Sequence, residues 1–505
     1  MLQLSVSPQA SALLLTVRSV RPNGPTREGV AAPVEAAAAV VETVWRVPYW
    51  VVLLSLWALF VVPSISLHAV VYEEQTVIGL ARGALADGHW VAPHLYGVRF
   101  VERPVLMSWI IALLSWPFGA IHVPIARVPT VLSALAGAML ILRLVGRTES
   151  TAAGFYAAVC FLTAPVLLPK IVVAEPDLML AVMLFGAFVL WWEGASAGKV
   201  SIGRWSAVGL ILAVAGLIKG PQPLAYFFIG VFAFLVLARR WNEVVGLAFA
   251  GVIASVPLGV WYLAVYQTGD VGEWISHSRI GSPRALGDQV WNSLDFLVRV
   301  ALGMLPATVL PPLLVRRDRE DSIGRLWLAL LLYATCCTAI LLFWPGARAR
   351  YAMPALPALA SLTGILFARM RLKHPLPFRI SDTLIAVLIG YQLILGWLVT
   401  PNFPGLFAQA RTVGDRIASV MRADPAPLYP LRDALDLSPL IYVPGPVRAI
   451  TFAELADVQL PAWAIVTPKQ VAELQARRPD LEAEVRLLMP EYQDARLVYV
   501  RKRRQ

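Results

Sequence analysis

Residues Tyr72–Pro104 read YEEQTVIGLARGALADGHWVAPHLYGVRFVERP, a stretch that mixes acids, bases, glycines, prolines and aromatic side chains. It belongs to a longer segment of the same character, 68–122. Apolar runs at about 49–67 and 127–146 lie on either side of it, and each approaches the roughly 20 residues that a helix needs to cross a bilayer. A polar segment between two such runs indicates a loop on one side of a membrane.

The composition of the whole chain supports this interpretation. Of its 505 residues, 58% are hydrophobic and only 15% are charged, with a mean hydropathy of +0.67. A soluble domain carries roughly 25% charged residues, so the composition excludes an ordinary soluble enzyme, a disordered chain and a fibrous protein. The apolar runs are continuous, which also excludes a barrel of alternating strands. The sequence therefore predicts a polytopic α-helical membrane protein.

The distribution of charge orients the predicted helices. With the N-terminal segment 1–45 in the cytoplasm and 68–122 outside, every predicted cytoplasmic turn is basic, as at Arg239 and Arg240. Basic residues in these cytoplasmic loops thus account for the formal net charge of +11, and we expect no nucleic-acid partner. Val105–Ala120 is apolar but short, and counting it as a span would reverse the pattern, so we expect it to lie in the outer interface. The eleven predicted spans are about 49–67, 127–146, 151–172, 178–194, 205–219, 223–238, 244–266, 293–315, 326–344, 352–368 and 381–400.

The last hundred residues differ in character from the rest. Residues 401–505 contain many charges and no span, and Val413 and Ile417 stand at helical spacing. We predict three domains: a cytoplasmic segment 1–45, a transmembrane domain 46–400 and a small α/β domain 401–505 on the outer side. Strands are expected at Leu440–Val443, Trp463–Thr467 and Arg496–Val500.

The predicted topology collects unusual charged residues on the outer face. Cations at the outer ends of helices are unexpected under the positive-inside rule, and they therefore indicate a functional role. A carboxylate there can act as a general base toward a hydroxyl or amine, and arginine and lysine can hold a phosphate. The combination suits transfer of a group from a lipid phosphate to an acceptor. The residues are Glu73, Glu74, Glu175, Asp177, Lys219, His277, Arg279, Arg348, Arg350 and Tyr351.

Each of these residues also has a simpler explanation. Glu175 and Asp177 could complement a helix dipole, Lys219 could extend to lipid headgroups, and Arg348 and Arg350 could contact lipid phosphates. The three cysteines show neither metal-ligand spacing nor a disulfide framework. What favours a functional site is that two acidic loops and several basic residues fall on one face.

The order of motifs resembles that of the GT-C glycosyltransferases, with the closest likeness to bacterial aminoarabinose lipid A transferases and related protein O-mannosyltransferases. The likeness covers about 70–400. It rests on the acidic pair Glu73–Glu74, on Gly88-His-Trp90, Pro93 and Gly97, and on Glu102-Arg-Pro104. Further along the chain follow Glu175-Pro-Asp177, Lys219-Gly-Pro221 and Arg350-Tyr-Ala-Met-Pro354. The chain departs from the family pattern at Glu73, where the family has Asp, at Thr76, where it has Arg, and at Arg103, where it has Lys.

The resemblance implies a GT-C-type fold with about 11–13 transmembrane helices, interfacial helices in the first periplasmic loop 68–122 and a bacterial inner-membrane location. It also implies a polyprenyl-phosphate sugar as donor, inversion at the anomeric carbon and an active site on the periplasmic side. The implied catalytic residues are Glu73, Glu74 and Asp177. The implied donor-phosphate ligands are Arg103, Lys219, Arg348, Arg350 and Tyr351, and the implied acceptor or loop residues are Glu102, His94 and His277.

Several questions stay open at the level of sequence. The acceptor could be a lipid, a glycan or a protein, and the sugar is not specified. A divalent metal is not demanded by any ligand spacing, although Asp and Glu could bind one. A transporter or flippase, or a non-catalytic membrane anchor, remains an alternative, but the chain shows no internal repeat and its unusual residues lie on one side.

Overall fold

The computed structural model describes residues 47–267, 270, 286–310, 322–342, 344, 347–431, 437–492 and 494–503. Of these, 49–503 belong to one compact unit, Tyr49–Gln505. The predicted cytoplasmic segment 1–45 and the candidate residues His277 and Arg279 lie outside the described residues.

Apolar helices dominate the described chain and make it a multi-pass membrane protein, as the composition predicts. Seven of them are long and apolar enough to cross a bilayer. Three include irregular turns: a 3₁₀ turn, Trp241–Glu243, precedes Val244–Val265, a second, Ala349–Ala355, precedes Leu356–Met370, and a π-helical turn, Ile394–Val399, follows Pro375–Leu393. The seven are Val123–Thr148, Pro176–Ser196, Ile202–Lys219, Trp241–Val265, Ile323–Leu342, Ala349–Met370 and Pro375–Asn402.

The other four predicted spans coincide with shorter or more polar helices. These helices are Tyr49–Val61, Thr151–Leu162, Gln222–Leu237 and Leu286–Gly303. The predicted span 151–172 is wrong in its second half, because the helix ends at Leu162 and a turn runs on to Ala174. Pro165 explains the end, since proline restricts the residue before it and has no N–H to donate. The total number of crossings stays a prediction.

The first loop contains two helices joined by a hairpin. Helix α2, Tyr72–Asp87, follows helix α1, Tyr49–Val61, and ends at Gly88, whose φ of 74° is one that glycine adopts without strain. His94–Leu95 pairs antiparallel with Val98–Arg99. Helix α3, Leu106–Ser115, continues as the 3₁₀ turn Trp116–Phe118, in which the two aromatic residues are 62% and 60% exposed. Exposed aromatic side chains beside an apolar helix support its predicted place in the membrane interface.

The C-terminal region is a four-stranded sheet with flanking helices, as predicted. Its strands in spatial order are Leu428–Pro430, Ala462–Val466, Ala495–Lys502 and Leu481–Met489, and only the first pair is parallel. The helices are Gln409–Met421 and Pro468–Arg477, with short helices at Thr400–Asn402 and Pro404–Phe407.

Two details of that region differ from the sequence-based expectation. The predicted strand Leu440–Val443 is wrong, because Ser438–Tyr442 forms a 3₁₀ turn with Pro439 as its second residue. The sequence does not predict the strand Leu481–Met489, because charged residues interrupt its apolar pattern. The strands expected near Trp463 and Val498 are confirmed.

The first loop and the C-terminal region share a hydrophobic core. Tyr96, in the hairpin turn, is buried in one cluster with Val413, Ile417, Trp463 and Leu497. The Tyr96 carbonyl also accepts a hydrogen bond of 2.8 Å from the Ala449 N–H. A domain boundary at 401 therefore stays a prediction, since a residue of the first loop completes the core beyond it.

A fully buried ion pair ties the first loop to the membrane helices. Arg127, in the first turns of the helix Val123–Thr148, donates from Nε and Nη2 to the two carboxylate oxygens of Glu74, at 2.7 and 2.9 Å. Its remaining N–H groups bond the carbonyls of Ile65, His68 and Ala69. Glu74 also accepts the N–H of Ala174 at 2.9 Å. Both side chains have zero exposure, so the hydrogen bonds must offset the free-energy cost of removing two charges from water.

We predict that Glu74→Gln or Arg127→Met costs about 3–5 kcal/mol of unfolding free energy, because each leaves one buried charge without its partner. Unfolding of the detergent-solubilised chain, followed by tryptophan fluorescence, measures the loss. Arg299→Gln is the matched control, since Arg299 forms an exposed i,i+4 pair with Asp295, and exposed ion pairs contribute little to stability. Equal effects of the buried and exposed replacements would contradict a structural role for Glu74.

Candidate functional site

Three helix ends and one 3₁₀ turn bring charged residues together. Glu73 lies in the first turn of α2, and Asp177 lies in the first turn of the helix Pro176–Ser196, with Glu175 at its N-cap. Proline at the first position of this helix fixes its start, and acids there complement the helix dipole. Lys219 occupies the last turn of the helix Ile202–Lys219, where a cation is equally favoured.

Glu73 is held by two arginines from distant parts of the chain. Arg350 Nη2 donates to Glu73 Oε1 at 2.7 Å, and Arg103 Nη2 donates to Oε2 at 3.2 Å. Burial raises the pKa of Glu73, but attraction by Arg103 and Arg350 outweighs it and lowers the pKa from 4.5 to about 2. Glu73 is therefore an ionised carboxylate whose proton affinity depends on its two cationic partners.

Glu175 and Asp177 each have a lysine partner. Lys170 Nζ lies 2.7 Å from the Glu175 carboxylate, and Lys219 Nζ donates to Asp177 Oδ1. Burial raises the pKa of Glu175, and attraction by Lys170 only partly opposes this. The pKa values of Glu73 and Glu175 thus move in opposite directions within one cluster, a pattern that is common where carboxylates have different chemical roles.

Arg350 connects the three carboxylates. Besides Glu73, it contacts Glu175 through Nη1 at 3.3 Å and lies 3.6 Å from Asp177 Oδ2 through Nε. The last distance is too long for a hydrogen bond, and the buried Nε makes none with the residues that the structure describes. A buried donor without an acceptor is costly, so this N–H is suited to bind an additional oxygen.

Tyr351 and Arg348 complete the cationic side of the cluster. Lys219 Nζ lies 4.4 Å from the centre of the Tyr351 ring, within the range of a cation–π contact. Arg348 is 66% exposed, with Nη1 3.9 Å from Glu73 Oε1. The cluster therefore pairs five cations with four carboxylates: Arg103, Lys170, Lys219, Arg348 and Arg350 with Glu73, Glu102, Glu175 and Asp177.

Three of the predicted site residues lie elsewhere or at the edge of this cluster. Glu74 points to Arg127 and not to the cations that surround Glu73, because consecutive helical residues are about 100° apart around the axis. This buried ion pair supports a structural role for Glu74, and its expected catalytic role stays a prediction. Glu102 is 56% exposed and reaches Arg103 at 3.6 Å. His94 stacks on His89, with ring centres 4.0 Å apart, and lines a separate cavity.

Two residues of the site region were not predicted. Lys170 falls inside the predicted span 151–172, and only the helix end before Pro165 places it beside Glu175. Arg127 falls at the start of the predicted span 127–146, where the sequence assigns it no role. An isolated arginine at the membrane edge is a signal that a buried partner exists.

The described residues contain no group of three or more His, Cys, Asp or Glu side chains placed to hold a metal ion. Glu73, Glu175 and Asp177 each bind a cationic side chain.

We predict that Glu73→Gln destabilises the chain in a pH-dependent way. Because the folded pKa is lowered to about 2, ionised Glu73 stabilises the fold above pH 4.5, and this contribution is lost as the pH falls through about 2. The difference in unfolding free energy between the parent and Glu73→Gln should fall by about half between pH ~5 and pH ~3. Glu102→Gln is the matched control and should show a smaller difference; a constant difference for Glu73→Gln would refute the ion-pair assignment.

Comparisons with known proteins show which sequences and folds the chain resembles. A family model described as dolichyl-phosphate-mannose-protein mannosyltransferase matches residues 102–262. The undecaprenyl phosphate-alpha-4-amino-4-deoxy-L-arabinose arabinosyl transferase of Pseudomonas aeruginosa (strain UCBPP-PA14) is 29% identical over 349 residues, which cover 65% of this chain and 62% of the relative. The protein of the same name from Enterobacter sp. (strain 638) is 29% identical over 314 residues, covering 59% and 54%. The chain thus spans less than two thirds of the length of these relatives.

The fold comparison extends over nearly the whole chain. The crystal structure of ArnT from Cupriavidus metallidurans bound to undecaprenyl phosphate is 18% identical, with a TM-score of 0.68 over 92% of this chain and 98% of that chain. The same protein in the apo state gives the same values. The resemblance to the GT-C glycosyltransferases is therefore confirmed, and the chain has the GT-C fold.

Proposed function

We propose that the protein is a membrane glycosyltransferase that moves a sugar from a polyprenyl-phosphate donor to a lipid, glycan or protein acceptor, with inversion. The observation that carries this proposal is the ionised Glu73 held between Arg350 and Arg103, with Asp177–Lys219 and Glu175–Lys170 beside it. The names of the relatives support it, since they are transferases of an undecaprenyl-phosphate-linked sugar.

The residues divide into a base and a phosphate-binding group. Glu73 accepts the proton of the acceptor hydroxyl or amine as the oxygen or nitrogen of that group attacks the anomeric carbon of the donor sugar. The bond between the anomeric carbon and the phosphate oxygen breaks, and the lipid phosphate leaves with both electrons of that bond. Arg103, Lys219, Arg348 and Arg350 stabilise the negative charge that develops on the phosphate. Attack from the face opposite the leaving phosphate gives inversion.

Binding of the donor activates the base. A carboxylate with a pKa of about 2 is a weak base, and the same arginines that lower the pKa are the proposed phosphate ligands. When the donor phosphate attracts Arg103 and Arg350, the attraction between these arginines and Glu73 weakens. The pKa of Glu73 therefore rises. The buried Arg350 Nε, which has no acceptor in the described chain, supplies one further donor for a phosphate oxygen. Base strength is thereby coupled to the presence of the donor.

Asp177 and Tyr351 keep the phosphate ligands in place. Asp177 bonds Lys219, and the Tyr351 ring packs against the same ammonium group. Glu102 lies 3.6 Å from Nη1 of Arg103, while Glu73 contacts Nη2 of the same side chain. These contacts fix the cations before the donor binds, which lowers the cost of reorganising them in the transition state.

The proposed location is a bacterial inner membrane, with the N-terminus in the cytoplasm and the site on the periplasmic side. The basic turns between spans support this orientation. Residues 46–400 form the transmembrane domain in this proposal, and 401–505 form a periplasmic domain that contacts the first loop.

We predict that Glu73→Gln reduces sugar transfer roughly a hundred- to ten-thousandfold while the chain still inserts and remains monodisperse, because the amide cannot accept the acceptor proton. The assay measures loss of a radiolabelled polyprenyl-phosphate sugar in membranes that contain the variant. Asp295→Asn is the control, because it removes an exposed acid outside the cluster and leaves the base in place.

Mass spectrometry of envelope extracts from a deletion strain and its parent identifies the substrates. We expect one polyprenyl-phosphate sugar to accumulate and one sugar-sized modification of a lipid, glycan or protein to disappear. Unchanged glycan pools in the deletion strain, when the parent strain is shown to express the protein, would favour the transporter or anchor hypothesis. Full activity of Glu73→Gln would contradict the assignment of Glu73 as the base.

A further inference from the structure

Lys170 is the member of the carboxylate cluster to which the proposed function gives no role. It lies in the turn that follows the helix Thr151–Leu162, and its Nζ is 2.7 Å from Glu175 Oε1 and 2.7 Å from Oε2. The ammonium group thus contacts both oxygens of a side chain that is only 4% exposed. A lysine that extends to lipid headgroups keeps its charge in water. The contact with Glu175 therefore indicates a role inside the cluster.

Backbone hydrogen bonds fix the turn that carries Lys170. The Val173 N–H donates to the Lys170 carbonyl at 3.3 Å, and the Glu175 N–H donates to the Val173 carbonyl at 2.7 Å. The Ala174 N–H donates to Glu74, the acid of the buried ion pair, at 2.9 Å. Lys170 and Glu175 therefore belong to one anchored connection, and their ion pair closes it.

Arg350 is the second cation on Glu175. Its Nη1 lies 3.3 Å from Glu175 Oε2, the oxygen that Lys170 contacts at 2.7 Å. Its Nη2 lies 2.7 Å from Glu73 Oε1. The shorter distances pair Lys170 with Glu175 and Arg350 with Glu73. Without a cation at position 170, Glu175 would keep Arg350 as its cationic partner and would attract it more strongly.

We propose that Lys170 is a positioning residue of the transfer site, which pairs with Glu175 and thereby keeps Arg350 available to Glu73 and to the donor phosphate. Lys170 does not touch the reacting atoms in this assignment and acts through one carboxylate. A buried carboxylate that loses its cation is costly, so a neighbouring cation is drawn to it. This inference rests on the proposed function, in which Arg350 binds the donor phosphate and sets the base strength of Glu73.

The pKa of Glu175 gives the effect a direction with pH. Burial raises this pKa, attraction by Lys170 and Arg350 opposes the rise, and Asp177, itself paired with Lys219, adds to it. A neutral residue at position 170 removes one of the opposing attractions, so the pKa of Glu175 rises further. Above that pKa the ionised carboxylate competes for Arg350, and below it the competition ends. A defect with this cause is present at high pH and lost as the pH falls.

Binding of a donor-like anion to the purified full-length chain in nanodiscs measures the availability of Arg350. The probe is geranyl methyl phosphate, a phosphodiester that carries one negative charge over the whole range of pH used, and calorimetry gives its Kd. Lys170→Gln should bind it about tenfold more weakly than the parent at pH ~8, because a charge-assisted contact is weakened. The difference should shrink toward pH ~5.

Two further variants control for the replacement itself. Lys170→Arg keeps the charge beside Glu175 and should bind the phosphodiester like the parent. Lys199→Gln removes an exposed lysine outside the cluster and is the matched control. The amide in Lys170→Gln still donates a hydrogen bond to Glu175, so the buried carboxylate keeps a partner in the fold.

A double variant separates positioning from direct binding. If Lys170 acts through Glu175, adding Lys170→Gln to Glu175→Gln should leave the Kd nearly unchanged. An equal loss of affinity in both backgrounds would identify Lys170 as a phosphate ligand and overturn the inference. A Lys170→Gln variant that binds like the parent at high pH, or a defect that is constant with pH, would also overturn it. The double variant buries no carboxylate at position 175, so it keeps the comparison with Glu175→Gln available where Lys170→Gln alone does not fold.

The outcomes separate this inference from the proposed function, since binding of the phosphodiester requires no turnover. In the transfer assay, Lys170→Gln should raise the KM for the donor more than it lowers kcat. A chain that binds the phosphodiester in this Lys170-dependent way and transfers no sugar would support the role of Lys170 in anion binding and contradict the transferase function. Normal transfer with an unchanged Kd in Lys170→Gln would contradict this inference alone.

Discussion

The buried pair of Glu74 and Arg127 is the interaction on which the arrangement of the site depends. Its hydrogen bonds reach the connection between α1 and α2, the first turn of α2, the helix Val123–Thr148 and Ala174. Ala174 directly precedes Glu175, and Glu74 directly follows Glu73. One desolvated ion pair therefore sets the distance between the two acidic segments of the site, and a buried pair tolerates no loss of either partner.

The cations and carboxylates of the site contact one another in an arrangement that a bound anion would change. Every carboxylate of the cluster contacts a cation, and Arg350 is shared among Glu73, Glu175 and Asp177. A shared cation is held by opposing attractions and can shift between partners at little energetic cost. The same group can thus stabilise the unliganded fold and still be available to a phosphate, which an exclusive, bidentate pair such as Glu74–Arg127 does not allow.

The sequence predicts the class of fold and most of the site, because both depend on local patterns. Apolar runs identify the membrane helices, and the motifs at 73, 103, 177, 219 and 350 come together as their order implied. Local patterns do not predict the different roles of Glu73 and Glu74. Glu73 and Glu74 are the same residue type at adjacent positions, and only the burial of Arg127, a long-range contact, distinguishes them. Lys170 was missed for a related reason, since its apolar neighbours resemble a span until the chain turns at Pro165.

The burial of Tyr96 among residues 413–497 has a consequence for biosynthesis. The hairpin leaves the ribosome early, while its packing partners are synthesised more than three hundred residues later. At about 5–20 residues per second, that interval is on the order of tens of seconds, during which the tip of the hairpin lacks its core. The first-loop hairpin is therefore completed by residues that are synthesised much later. A product that ends before residue 413 would leave Tyr96 without its packing partners, and an exposed aromatic side chain gives quality-control proteases a means to recognise such a product.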